Sequence, residues 1–331
     1  GILIIVESWL NDRATNKTRG KVLSLYMFFT FFAFTIGNLL LNISSPNSYE
    51  PFILISLLFS VALIPILLTK RKPPTFKKTS SIRIKELLKI SPFGSFSMFC
   101  TGFIFAAMFA MLSVYAVTMN LTVFEISILL VGTTLAGAIF QWPIGYLSDK
   151  YDRRVIVIGC CIASFIFGVL SIMSSGIYFE SLVAEEMVRF NYFSSDGNMN
   201  KTNLFIFIIL LSGMTLPMFA LNLALVNDYI PKEKFVAAGA GLNIIFGLGA
   251  MAGPIICSIL MSLLGPNGFF IHLFIFLLAI IFFGIYRVNK REYEDNPEST
   301  FTPLPREITP LGIELDPDTG VDLSNTPNDK K

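Results

Sequence analysis

Charge is what this sequence has least of. Only 15% of its 331 residues are Asp, Glu, Lys or Arg, 53% are hydrophobic, and mean hydropathy is +0.67. Soluble domains are about a quarter charged, so a water-facing globule is excluded. Histidine occurs once, at His272, and a lone imidazole cannot build a metal centre. The four cysteines, Cys100, Cys160, Cys161 and Cys257, all fall within apolar stretches, which suits small packing residues rather than a disulfide framework or metal site. No G-x-x-x-x-G-K-[ST] loop occurs, so ATP-driven pumping has no phosphate cradle. An intramembrane enzyme would need clustered acids and histidines, or a serine beside a base. The chain is therefore read as a non-enzyme with no cofactor and no nucleic-acid partner.

Long uncharged runs are what is there. Eight stretches lack Asp, Glu, Lys and Arg entirely: Val22–Asn42, Phe52–Thr69, Phe93–Thr118, Ile126–Leu147, Val155–Met173, Leu204–Asn227, Phe235–Leu264 and Phe269–Tyr286. A bilayer-crossing helix takes about 20 apolar residues, whereas barrel strands are about 10 residues long and alternate. These runs fit helices. The connections between them alternate in charge: the odd-numbered ones hold 23 of the 25 Lys and Arg. The positive-inside rule places the odd set, and the C-terminus, in the cytoplasm. Gly1–Leu10 is too short to span, and reads as the inner end of a further span.

One hairpin stands out. Gly145-Tyr-Leu-Ser-Asp149-Lys150-Tyr-Asp152-Arg153-Arg154 has room for little beyond a turn, yet carries two carboxylates and three cations. Gly145 and Asp149 are four apart and share a helix face. Glycine there lets another helix come close, and the carboxylate can accept from a helix N-terminus or from the arginines. The plain alternative is helix-end charge that only sets orientation. The pattern resembles the G-x-x-x-D-[RK]-x-G-R-[RK] loop signature of the major facilitator superfamily of transporters. Asp152 stands where that family has Gly. Asp tolerates a left-handed turn better than most residues, so the turn is expected to survive, with Asp152 free to pair with Arg154.

Further residues carry the same resemblance, closest to the bacterial YcaD-like branch. Val6-Glu7-Ser8-Trp9-Leu10, then Thr18-Arg19-Gly20-Lys21, is similar to the junction of the family's fourth and fifth spans. Gln141-Trp142-Pro143-Ile144-Gly145 and Asn227-Asp228-Tyr229-Ile230 fit the same branch. The resemblance implies an all-α membrane fold of two pseudo-symmetric six-helix bundles. The first bundle is incomplete in this sequence, which begins near the end of span four. Residues 1–69 would be the remainder of the N-terminal bundle and 70–92 a cytoplasmic linker. Residues 93–290 would be the C-terminal six-span bundle, and 291–331 an acidic, disordered cytoplasmic tail. Within the linker, Ile82–Ile90 is amphipathic and expected on the inner membrane face. The external connection Ser174–Asn203, longer than the family's, reads as a surface helix.

Function is then expected as secondary transport of a small solute by alternating access, coupled to protons, by a monomer in the bacterial inner membrane. The alternative is a transport-inactive sensor or scaffold of the same fold. The resemblance implies a cytoplasmic gate built from Gly145, Asp149, Lys150, Arg153 and Arg154, with Asp228 pairing with Arg153 or Arg154. Glu7 and Arg19 are their counterparts in the first bundle. Glu7 follows a wholly apolar run about 9 Å from Arg13 along a helix, so both gate pairing and proton carriage stay open. Uncharged polar residues inside spans, Asn38, Tyr115, Gln141, Trp142, Asn222 and Asn243, are the cavity-lining set, each with interhelical bonding as its ordinary role. Pro217 is expected to bend its span near Asn222. The G-x-x-x-G pair Gly249 and Gly253 is expected to pack against Gly145. The family's antiporter signature, a Gly-Pro pair in the fifth span, is not present in Val22–Asn42.

Overall fold

The computed structural model describes residues 19–43, 48–68, 83–176, 200–231, 234–290 and 302–303. The stretch expected to end a span, with Glu7, most of the expected linker and external connection, and nearly all of the expected tail lie outside the described residues. Nine helices are described: α1 Arg19–Leu40, α2 Glu50–Leu68, α3 Ile84–Ile90, α4 Pro92–Thr118, α5 Val123–Ser148, α6 Arg153–Ser174, α7 Lys201–Asn227, α8 Phe235–Leu264 and α9 Gly268–Lys290. All except α3 coincide with the eight uncharged runs. Five continuous stretches are long and apolar enough to cross a membrane, the longest being α8 and α9 joined through a 3-10 turn at Gly265–Asn267. Leu25–Leu40 and Glu50–Pro65 are shorter apolar helices.

Local chemistry sets the helix ends. Pro92 opens α4 at a position whose N–H would have no partner. Thr122 and Glu125 form a reciprocal capping box at the start of α5. Asp152 and Asn200 cap α6 and α7. Pro217 interrupts α7, which runs as Lys201–Thr215 and then Met218–Asn227. A π turn at Ala107–Met111 widens α4, a feature without a signature in the sequence pattern. Asp152 corrects one expectation: its φ of −51° is not left-handed. As an N-cap its carboxylate takes the backbone N–H of Arg154, a task glycine has no side chain for, so the chain turns without the glycine conformation.

Among the described helices, α4 packs against α8 and α9, α7 against α5 and α6, and α6 against α9. One core joins α4, α6, α7 and α9 around Tyr115, Leu211, Phe269 and Phe270. Another joins α3, α4, α7 and α8 around Leu87, Met98, Phe219 and Phe235. The closest approach is α4 on α8. A Cβ on Gly102 would overlap the Phe246 carbonyl oxygen, and one on Gly249 the Phe99 carbonyl oxygen. The expected partner of the G-x-x-x-G pair is thereby corrected: Gly249 and Gly253 face Phe99 and Phe103 of α4, not Gly145. Their glycines let backbones, rather than side chains, come into contact. The linker piece is also more than a surface helix, since Leu87 is wholly buried against Gly241. Helix α1 lies on α5, and Phe34 reaches Phe109 of the π turn.

Candidate functional site at the hairpin end

The hairpin between α5 and α6 places its charges by helix phase. Consecutive residues on a helix are about 100° apart, so Arg153 and Arg154 at the start of α6 face different ways. Arg153 turns toward α7. Its Nη1 donates to Asp228 Oδ1 at 2.5 Å and to the Ala224 carbonyl at 3.0 Å, while Nη2 donates to Asp149 Oδ1 at 3.0 Å. The Arg153 and Asp228 side chains are 3% and 1% exposed, and Asp149 is 37% exposed at the rim. Arg154 turns back onto the hairpin, where Asp152 grips its guanidinium through Nε at 3.1 Å and Nη2 at 2.7 Å. Of the two pairings open to Asp228, the structure places it with Arg153.

A buried guanidinium shared by two carboxylates and a helix-end carbonyl is a clamp. It fastens the start of α6 to the last turn of α7 and to the end of α5. The α7 C-terminus, with its partial negative charge, adds to the attraction for the cation. Helix α1 packs on α5. Lys150 lies 4.3 Å above the Tyr146 ring on the exposed side, one helical turn on. Gly145 is buried, and its carbonyl accepts from the Ser148 hydroxyl at 2.8 Å. Arg19 opens α1.

The six cavity candidates differ in burial. Tyr115 is fully buried, stacked on Phe269 and edge-on to Phe270, inside the bundle core. Asn222 is fully buried and donates to Thr101 Oγ1 at 3.0 Å, an interhelical bond between α7 and α4. Gln141 is buried, whereas its neighbour Trp142 is 79% exposed. Asn38 and Asn243 are half-buried. Thr101, the partner of Asn222, was not singled out by its residue type; a hydroxyl bonding back to the Ser97 carbonyl at 2.7 Å is ordinary helix behaviour. His272 is buried with its Nε2 3.2 Å from the Phe103 carbonyl, a packed role. The four cysteines are buried free thiols, and no metal-holding cluster exists among the described residues.

Comparison with known proteins bears on the family of the chain. The model of the Major Facilitator Superfamily matches residues 1–188 and 120–315. An uncharacterized MFS-type transporter YcaD of Escherichia fergusonii is 23% identical over 286 residues, covering 85% of this chain and 68% of that protein. An uncharacterized MFS-type transporter of Yersinia pestis has the same identity and coverage, and YcaD of Escherichia coli O9:H4 is 22% identical over the same length. No solved structure matches. With its uncharged helices, its G-x-x-x-D hairpin and a family match that spans most of its length, this multi-pass integral membrane protein belongs to the major facilitator superfamily.

Proposed function

We propose that the chain carries a small solute across the membrane by alternating access, with the Arg153 clamp holding the cytoplasmic side of the second bundle in one piece. The observation that supports this is the almost complete burial of Arg153 and Asp228 beside a half-exposed Asp149. The buried pair sets the hairpin rigidly. Asp149 is thereby presented at the end of α5, the helix on which α1 of the other bundle lies. Making or breaking contact at that edge is the inner gate. Proton coupling belongs to this reading, and Glu7, which follows a wholly apolar run, is a gate partner first and a candidate carrier second. The basic connections put this end, and the C-terminus, in the cytoplasm.

Losing one side of a buried pair costs roughly 3–5 kcal/mol; because the pair joins α5, α6 and α7 to one another, the gate equilibrium shifts only by the part of that loss that displaces Asp149 at the end of α5. The test is thiol labelling of single cysteines introduced at the inner and outer mouths, in membranes, for the wild type and Asp228→Asn. Inner-mouth labelling is expected to rise and outer-mouth labelling to fall. Unchanged accessibility at both faces would sink the gate. Solute-dependent proton flux in vesicles tests transport itself, and its absence over a broad solute panel would leave the sensor reading standing.

A further inference from the structure

At the hairpin end of the second bundle, beside the clamp but separate from it, a small pocket opens between the α3–α4 junction, α6, α7 and α9. Its polar lining is Ser91, Arg154, Tyr229 and Arg287, and its apolar lining includes Phe93 and Leu225. No carboxylate lines it. Arg154 is held in place by Asp152, so its guanidinium is fixed rather than free to swing. Arg287, in the last turn of α9, is half-buried and makes no ion pair among the described residues. A half-buried guanidinium with no carboxylate partner among the described residues, in a pocket also lined by a second arginine, a serine and a tyrosine, is short of one anion.

We propose that this pocket seats the phosphate of an anionic phospholipid from the adjoining leaflet. Arg287 supplies the main charge, Arg154 a fixed second one, and Ser91 and Tyr229 hydroxyl donors. The apolar half of the lining decides between lipid and free phosphate. Phe93 and Leu225 give a glycerol backbone and the start of an acyl chain something to rest on, whereas a fully hydrated ion gains nothing from them. The site lies where such a headgroup is available. Tyr286, one residue before Arg287, and Tyr146 and Tyr151 of the hairpin are all exposed, as interfacial aromatics are. Basic pockets between spans at this level are suited to acidic headgroups. A lipid held there would tie α3, the end of the linker between bundles, to α6 and α9.

The test uses the complete chain in nanodiscs of phosphatidylethanolamine with a minority of phosphatidylglycerol, released into native mass spectrometry. The wild type is expected to retain phosphatidylglycerol over phosphatidylethanolamine. Arg287→Gln should lower that retention about fivefold, the worth of one cation at a membrane surface. Arg287→Lys should keep most of it, and Lys290→Gln, which removes an equal charge one turn further along, should change nothing. Absence of any preference in the wild type, a readout that needs no variant, overturns the proposal. So does equal loss in Arg287→Gln and Lys290→Gln, which would mean diffuse surface charge. If millimolar inorganic phosphate strips the phosphatidylglycerol from the wild type, the pocket is a free-anion site and the lipid assignment fails.

Discussion

Helix α7 is tied to its neighbours by an ion pair near each end, and the two pairs are physically unlike. Near its C-terminus Asp228 meets Arg153 with both side chains almost fully buried. Near its N-terminus Lys201 meets Glu125 of α5 at 2.8 Å, but the two side chains are 48% and 25% exposed. The charges and the distances are similar. What differs is what replaces the partner when the pair opens. Water solvates Lys201 and Glu125 at once, so such pairs contribute about 0–1 kcal/mol. Nothing solvates Arg153 in its packed surroundings, so opening that pair is costly. One end of α7 is pinned and the other is only tethered.

The largest effect should come from cutting the pinned end. Asp228→Asn leaves the guanidinium buried with less charge against it, and should lower stability by roughly 3–5 kcal/mol, read as thermal unfolding of the purified protein. Replacing both partners by apolar residues, Arg153→Met with Asp228→Leu, should recover most of that stability while abolishing gating. If Asp228→Asn and Glu125→Gln unfolded at the same temperature, burial would not be what separates the ends of α7.

A middle-sized effect probes whether the packing beside the pinned end depends on backbone contact. Gly249→Leu must push α8 off the Phe99 carbonyl and should cost about 1–3 kcal/mol. Gly247→Leu is the control, since no atom lies within 4 Å of its Cβ position. The smallest effect belongs to the tethered end. Glu125→Gln should shift stability by less than about 1 kcal/mol, and the shift should vanish in high salt, where exposed charges are screened. A Glu125→Gln effect that persists at high salt would mean that the outer pair is buried in the membrane-embedded protein.

Much of this was legible beforehand, and the reasons differ by residue. The helix extents could be read because desolvating backbone in a bilayer demands helix wherever charge is absent, a local property. The break at Pro217 likewise acts within a few residues of itself. Asp152 was legible as a partner of Arg154 but not as a cap, since both conformations suit a short polar residue. Whether Arg153 or Arg154 would reach Asp228 depended on the phase of α6, which a one-residue shift in its start would reverse. The scatter of Tyr115, Asn222, Gln141 and Trp142 has a different cause. Helices in lipid are apolar all round, so hydropathy does not mark the face that turns inward. Helix α2, exposed along nearly its whole length, is more apolar in sequence than Met218–Asn227 of α7, which is buried throughout.

By itself, then, the sequence determined the class of molecule, the number and extent of its uncharged helices, the charge alternation of their connections and the residue types gathered at the hairpin. Each follows from interactions a segment makes with lipid, water or its own next turn. The tertiary structure alone decided that Arg153 is the clamp and Arg154 the wall of a pocket beside it, that Gly249 meets α4 rather than Gly145, and that Arg287 joins residues far from it in the chain. Those outcomes depend on helix rotation and crossing. These are set where small residues let two backbones touch, a constraint that no single segment contains.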